Sequence, residues 1–338
     1  DLGFLNQRIT VSPEFYINRS SNLLLNAQLP YSSGYQSMLI NAGETKNVGV
    51  ELTVNTVNFS TKKFSWNTTL TLSHNKNSVK ALTGEAVQLY EARFGFNQNT
   101  HRIAVGEPLG QFYGYITEGL YQVDDFNYDA STQTYTLKDG VPYHGDKGQI
   151  RPGMWKFKNL TGDDNVIDEN DKTVIGNAQP KFYGGLNNSF TYKGFDLNAM
   201  FQGVAGNKIF QGLRRLDVSR ANYQTVALSR WTGEGTSNDY PRLTTDDTNG
   251  NFTKMSDFYL QKGDYLRLKV LSVGYSLPKT LLDKISAEKV RIYVTGNNVL
   301  TLTKYNGYDP EIGGELMGID KGYYPQPRTI IFGINFQF

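Results

Sequence analysis

A chain of 338 residues with no cysteine has room for one large domain or two ordinary ones, and it excludes both a disulfide scaffold and a cysteine-ligated metal site. Its 34 Lys+Arg and 32 Asp+Glu give a scattered net charge of +2, so no basic stripe points to nucleic acid and no acidic run to a solvating tail. A mean hydropathy of -0.47, with no apolar run near the ~20 residues a spanning helix needs, excludes helical membrane proteins but not strands, which need only ~10 residues with alternate side chains facing lipid. The 22 Tyr, 19 Phe and 34 Gly point to an all-β chain, because aromatic residues favour strands and glycine marks turns and bulges. It opens on Asp1-Leu2-Gly3-Phe4, without an initiator Met or a signal segment, and so reads as a processed product or a fragment.

In chain order, period-two alternation predicts a strand over 4–18, where Ile9, Val11, Phe15 and Ile17 oppose Arg8, Thr10, Ser12 and Glu14. From 47 to 56, Val48, Val50, Leu52 and Val54 alternate with Gly49, Glu51, Thr53 and Asn55; from 64 to 73, Phe64, Trp66, Leu70 and Leu72 alternate with Ser65, Asn67, Thr69 and Thr71. Additional wall strands are expected around 86–104 and 110–122. Leu186, Phe190 and Tyr192 then oppose Asn187, Ser189 and Thr191, and Phe195, Leu197, Ala199 and Phe201 oppose Asp196, Asn198 and Gln202. Within 264–276 the apolar parity switches from Leu266, Leu268 and Val270 to Leu271, Val273 and Tyr275, which predicts a bulge. Val290, Ile292 and Val294 form the next apolar face. The last strand sets Ile330, Phe332, Ile334, Phe336 and the terminal Phe338 against Gly333, Asn335 and Gln337.

The connections alternate in length. Residues 59–63, the Lys193-Gly194 turn and 277–288 are short, whereas 19–46, 205–263 and 299–327 are long. Short turns on one side and long loops on the other are the asymmetry of outer-membrane barrels, so about ten antiparallel transmembrane strands with long extracellular loops are expected. A soluble β-sandwich, whose apolar faces point into a core, is the alternative on pattern alone. Ile209, Leu213 and Leu216, with Arg214 and Arg215 between them, suggest a short amphipathic helix, and Pro278 before Leu281, Leu282 and Ile285 suggests another at the rim.

With these segments in place, the chain resembles the C-terminal barrel portion of a SusC-like TonB-dependent outer membrane transporter of Bacteroidota. The carrying segments are Asn47-Val-Gly-Val-Glu-Leu52, Phe64-Ser-Trp66, Val105-Gly-Glu-Pro-Leu-Gly-Gln-Phe-Tyr-Gly-Tyr115, Gly119-Leu-Tyr-Gln122, Ile175-Gly-Asn-Ala-Gln-Pro180, Phe201-Gln-Gly203, Tyr265-Leu-Arg-Leu268 and Gly296-Asn-Asn298. The resemblance implies a 22-strand barrel with a plug, a SusD-like lipoprotein lid and energy delivered through TonB. Residues 1–338 would supply only its last ten or so strands, with plug and upstream wall absent from this chain. Such a sheet has two unpaired edges, whose backbone groups lipid cannot satisfy, so the remaining wall is an expected partner. The function implied is import of an oligosaccharide or peptide at the bacterial outer membrane. A self-closed ten-strand barrel acting as channel or surface enzyme, and a secreted glycan-binding sandwich, are the alternatives.

Among local motifs, residues 159–171 look like a calcium loop with oxygen ligands at alternating positions: Asn159, Thr161, Asp163, Asp168 and Asp171, an Asx-rich turn being the plain alternative. Asp164 stands where such loops carry glycine. No other cofactor is implied. His74, His101 and His144 show no metal-binding spacing and read as surface residues; Glu85, Glu91 and Glu107 single out no acid–base pair, and no catalysis is expected. Phe64, Trp66, Phe332, Phe336 and Phe338 read as an interfacial girdle, with Phe336 and Phe338 as the terminal barrel assembly signal. Trp231, Tyr240, Tyr305, Tyr308 and Tyr324 are loop aromatics suited either to holding a sugar or peptide or to packing the loops themselves. Glu51, Asn55, Asn67, Thr69, Asn187, Ser189 and Asn198 are expected to line a lumen.

Overall fold

A computed structural model of the chain describes residues 1–28, 31–35, 37–82, 87–90, 99–162, 164–214, 222–245, 247, 249–312 and 318–338. Its backbone is one nine-stranded antiparallel sheet whose spatial order follows chain order: β1 (Leu2–Phe4), β2 (Ile9–Gln28), β3 (Ser37–Ser60), β4 (Phe64–Ala81), β5 (Phe182–Tyr192), β6 (Phe195–Ala205), β7 (Tyr265–Ser276), β8 (Lys289–Thr303) and β9 (Thr329–Gln337). Among the described residues, β1 pairs only with β2 and β9 only with β8, so the sheet is an open wall rather than a closed ring. The self-closed barrel is thereby set aside.

The tight connections 61–63, 193–194 and 277–288 lie at one end and the insertions 82–181, 206–264 and 304–328 at the other, whereas the expected long connection 19–46 is mostly strand, β2 running to Gln28 and β3 starting at Ser37. The predicted first strand is broken: Leu5, Asn6 and Gln7 have φ of 52°, 56° and 66°, and this turn folds β1 back on β2. The segment over 277–288 holds the expected short helix, Lys279–Leu282.

The described residues of 86–104 and 110–122 are not wall strands. The strands Val87–Tyr90, His101–Ala104, Gln111–Gly114 and Thr173–Asn177 form a separate four-stranded sheet within the first insertion, and Thr117–Leu120 pairs with Trp155–Phe157. The reason is visible in burial: His101 and Ala104, and Gln111, Phe112 and Gly114, are buried and leave no face for lipid. Because the two misplaced strands are an even number, the up-and-down direction of the wall is unchanged. The expected helix around Ile209 is instead the strand Lys208–Gln211 followed by a 3-10 turn at Gly212–Arg214; Arg215 and Leu216 lie outside the described residues, as do Glu85 and Glu91.

The hydrophobic core lies in the insertions. Phe112, Tyr115, Leu120, Trp155, Phe157, Phe210, Tyr240, Phe252, Met255, Tyr259 and Ile319 come from all three and pack into one cluster. The wall strands contribute only Val79, Tyr265 and Val290 to the buried apolar residues described. Their apolar face is bare: Phe15 is 67%, Ile330 65% and Phe332 77% exposed, with no second layer over them among the described residues. A sandwich would bury these side chains. Near the tight-turn end, one register row crosses the face as Phe64, Tyr192, Phe195, Tyr275, Ile292 and Ile334, and Trp66 stacks on Phe190 at 5.5 Å. Aromatic bands of this kind mark the edges of a transmembrane wall. Among the described residues no helix is long and apolar enough to cross a membrane, which says nothing about strands.

The opposite face is polar. Thr69 Oγ1 donates to Asn55 Oδ1 at 2.8 Å, and Glu51, Asn67, Asn187, Ser189 and Asn198 share this face by pleat parity, as expected.

Candidate functional site

The predicted bulge on β7 is where the polar face becomes a site. Leu268 and Val270 pair with both neighbours while Lys269 is left over, and β8 answers at the same level with Asn298 and Val299 unpaired. Asn298 takes the left-handed conformation, φ 51°, so its Nδ2 donates to the Pro327 carbonyl at 2.9 Å. Its Oδ1 is buried without a hydrogen-bond partner among the described residues. The extra residue therefore turns side chains of two wall strands toward the third insertion.

Arg267 sits beside this bulge and is 3% exposed. It donates from Nε to Thr301 Oγ1 at 2.9 Å, from Nη1 to Glu311 Oε2 at 2.8 Å and from Nη2 to Asp309 Oδ1 at 2.5 Å, while Lys269 Nζ reaches Glu311 Oε2 at 3.1 Å. Burial raises the Asp309 carboxyl, but the backbone N–H groups of Glu311 and Gln326 and the Arg267 guanidinium outweigh it and hold the group below the ordinary carboxylate range. A polar cleft of about 410 Å³ opens over this cluster, walled by Thr301, Tyr308, Gln326 and Arg328 besides Arg267 and Asn298. It presents donors, acceptors and one flat aromatic face to whatever passes along the polar side.

The expected loop aromatics divide. Tyr240 is buried in the insertion core, and Tyr305 is buried with its hydroxyl donating to Asp320. Trp231 packs against the same core and donates from Nε1 to Gln122 Oε1 at 2.9 Å. Tyr308 and Tyr324 are 67% and 91% exposed, and of the five only Tyr308 lines the cleft. At the other end of the wall, Phe336 and Phe338 are exposed on the apolar side and stack at 6.0 Å.

In the Asp-rich loop, Asp171 is buried and its carboxylate is already occupied. Oδ1 accepts from Leu160 N at 2.6 Å, Thr161 N at 2.8 Å and Thr161 Oγ1 at 3.1 Å, and Oδ2 from Asp168 N at 2.8 Å. Burial pushes the Asp171 pKa up, yet these donors prevail and lower it. Asp168 caps the short turn Glu169–Asp171 through Asn170 N at 2.7 Å. Asn159 Oδ1 is buried and unpartnered among the described residues, and Asp163 lies outside them. Among the described residues no group of three His, Asp or Glu side chains is arranged to hold a metal. The arrangement described is that of an Asx-stapled turn.

Two of the three histidines depart from the surface reading. His101 and His144 are buried, packed on Phe112 at 4.5 Å and on Phe157 at 5.0 Å, because the insertions build a core that the alternating pattern of the wall does not announce. Glu107 accepts from Gln111 Nε2 at 2.9 Å, a structural bond. Arg267, Asp309, Asn298 and Arg328 were not singled out from sequence. The available signal was an Arg and a Lys inside an apolar strand, facing the Asp309 and Glu311 pair of a later loop.

No family model matches the chain. Along its whole length it is homologous to TonB-dependent receptors: it is 33% identical to TonB-dependent receptor P3 of Formosa agariphila, of which it covers 33%, and 26% identical to TonB-dependent receptor SusC of Bacteroides thetaiotaomicron, of which it covers 31%. The chain thus spans about a third of the length of the curated relatives it matches. Its fold superposes on the RagAB peptide importer in the closed-closed state with a TM-score of 0.73 at 23% identity, over 99% of this chain and 34% of that one. The open-open state gives 0.73 at 24% identity, over 99% and 33%. The wall described above is the antiparallel barrel wall of that fold.

Proposed function

We propose that this chain is one side of the wall of a TonB-dependent importer of the bacterial outer membrane. Its apolar face lies in lipid, its polar face lines the path of an oligomeric nutrient, and its insertions form the extracellular mouth. The observation that carries this reading is the separation of roles within one chain: among the described residues the large core is in the insertions, while a nine-stranded wall leaves its apolar face bare and both edges unpaired. Water would drive such a face under cover, whereas lipid satisfies it and needs a closed ring to satisfy the edges. Further strands complete the ring around a plug. A SusD-like lipoprotein over the insertion end, TonB acting through the plug, and an oligosaccharide or peptide as cargo belong to the same proposal. Its support is the homology to SusC and the likeness of fold to a protein named as a peptide importer.

Within this chain no native cysteine competes with an introduced one. In native outer membranes, I334C and V294C on the apolar side should resist a membrane-impermeant maleimide, while N335C and T295C on the polar side should react. Equal labelling of both sides would remove the membrane wall and the import reading with it. Loss of labelled oligosaccharide or peptide uptake on deletion of the native gene identifies the cargo class.

A further inference from the structure

On the apolar face, Gly184 of β5 stands opposite Gly203 of β6, and the same register row is flanked by Leu72 of β4 and Leu266 of β7. Two adjacent strands thus lack side chains at one level. The result is a dent of about 420 Å³, bounded by Phe182 and Ala205 on the insertion side and by Leu186 and Phe201 on the other. It is built in: a Cβ on Gly184 would fall 2.3 Å from the Thr71 carbonyl oxygen, and one on Gly203 3.2 Å from that of Tyr265.

Toward the insertion end the dent shares Val204, Ala205 and Tyr265 with a second hollow, of about 650 Å³, edged by Lys262 and Lys304. Lys181 does not line this hollow, but its side chain crosses Gly206, the residue after Ala205, whose N–H bonds to Asp264 of the hollow. All three lysines are exposed, and none makes an ion pair with the described residues. Asp264, the acid of that hollow, accepts from the Gly206 N–H at 2.6 Å, and its single negative charge is outnumbered by the lysines. An apolar slot that ends at three cations is complementary to a molecule with a hydrocarbon chain and an anionic head.

We infer that this composite site retains a membrane lipid with a net anionic, phosphate-bearing head from the leaflet on the insertion side, with an acyl chain over Gly184 and Gly203 and the head among Lys181, Lys262 and Lys304. The inference rests on the membrane reading above, because only a lipid-facing dent meets acyl chains. It adds a defined site to a surface that would otherwise be coated by lipid without preference.

The test uses the intact receptor that contains this chain, reconstituted in nanodiscs of mixed phosphatidylcholine and phosphatidylglycerol and released into native mass spectrometry. Wild type should retain phosphatidylglycerol over phosphatidylcholine by about tenfold, and K181Q/K262Q/K304Q should approach parity. A205L, which enlarges a side chain at the edge of the dent and leaves the lysines intact, should lower the amount of either lipid retained. No preference in wild type, an unchanged preference in the triple variant, or a bound protein mass in place of lipid would overturn the site. A receptor that inserts without preference defeats this inference alone; one that does not insert defeats the membrane reading.

Discussion

Arg267 of β7 and Asp309 of the third insertion form a buried ion pair at 2.5 Å, and it is the tie between wall and mouth. Asp309 also accepts from Glu311 N at 2.9 Å and Gln326 N at 3.0 Å, so one carboxylate fixes both sides of the segment it belongs to. Breaking a buried pair from one side leaves the other charge stranded. D309N should cost about 3 kcal/mol, the low end for such a loss because Glu311 still reaches Arg267. R267M should open residues 304–328 to limited proteolysis, and R267M/D309N should cost less than the two single changes added together. Additive costs would show that the pair is not coupled. Since the Asp309 pKa is lowered, its contribution is present above the ordinary carboxylate range and is lost as pH falls through the folded value, so the tie holds at neutral pH.

His144 gives the insertions a second pH dependence, in a higher window. Burial, with the nearby Lys254 charge adding to it, lowers its pKa to about 3, and its two ring nitrogens have no hydrogen-bond partner among the described residues. The folded core therefore holds the neutral ring, while an unfolded histidine binds a proton below about pH 6.5. Stability is full above that pH and declines on acidification toward the folded value. Between pH 7.5 and pH 5 the loss should be about 2 kcal/mol. Unfolding of the insertion core followed through Trp155 fluorescence measures it, and H144F should flatten the slope over this interval. A wild-type stability that is level from pH 7.5 to pH 5 would show that the ring is hydrated or paired.

The wall was legible because lipid and lumen impose opposite chemistry on alternate residues. Ile330, Phe332, Ile334 and Phe336 announce one face without any tertiary information. The bulge at Lys269 was legible for the same reason, since a parity switch in the apolar pattern has no other remedy in a two-faced strand. The insertions obey no such rule. Phe112 and His101 are buried between short strands from all round, so their local sequence carries no alternation, and 110–122 reads like another wall strand. The Arg267 cluster was hidden for a further reason: its acidic partners are more than forty residues away, and only the three-dimensional return of the third insertion brings them together.

Asp171 is where a stapled turn and an ion site make different predictions. Its oxygens receive three N–H donors and one hydroxyl, three of the four on Oδ1, which is what a stapled turn requires. D171A should destabilise the first insertion by roughly 2–4 kcal/mol, the scale expected when buried bonds to a charged group are lost. Chelation by EGTA should leave the melting transition of the wild-type protein unmoved. A chelator-sensitive transition, restored by added calcium, would return this loop to the ion.

Tyr308 and Tyr240 allow cargo contact to be tested against packing, because one ring lines the cleft and the other fills the core. Tyr240 is buried against Phe258 with ring centroids 5.7 Å apart, so Y240A should cost about 3–5 kcal/mol, the usual loss for a large buried ring. Tyr308 is exposed beside Arg328 and Asn298, so Y308A should leave the melting transition in place and weaken cargo affinity by about tenfold, the share a flat stacking face commonly carries. R328Q should weaken binding of an anionic cargo and spare a neutral one, which separates charge from stacking at the same cleft. Y324A is the internal control: Tyr324 is more exposed than Tyr308 but outside the cleft, and its removal should leave both stability and affinity unchanged. If Y308A binds cargo like wild type while Y324A does not, the path runs over the outer rim of the third insertion instead of through the cleft above Arg267.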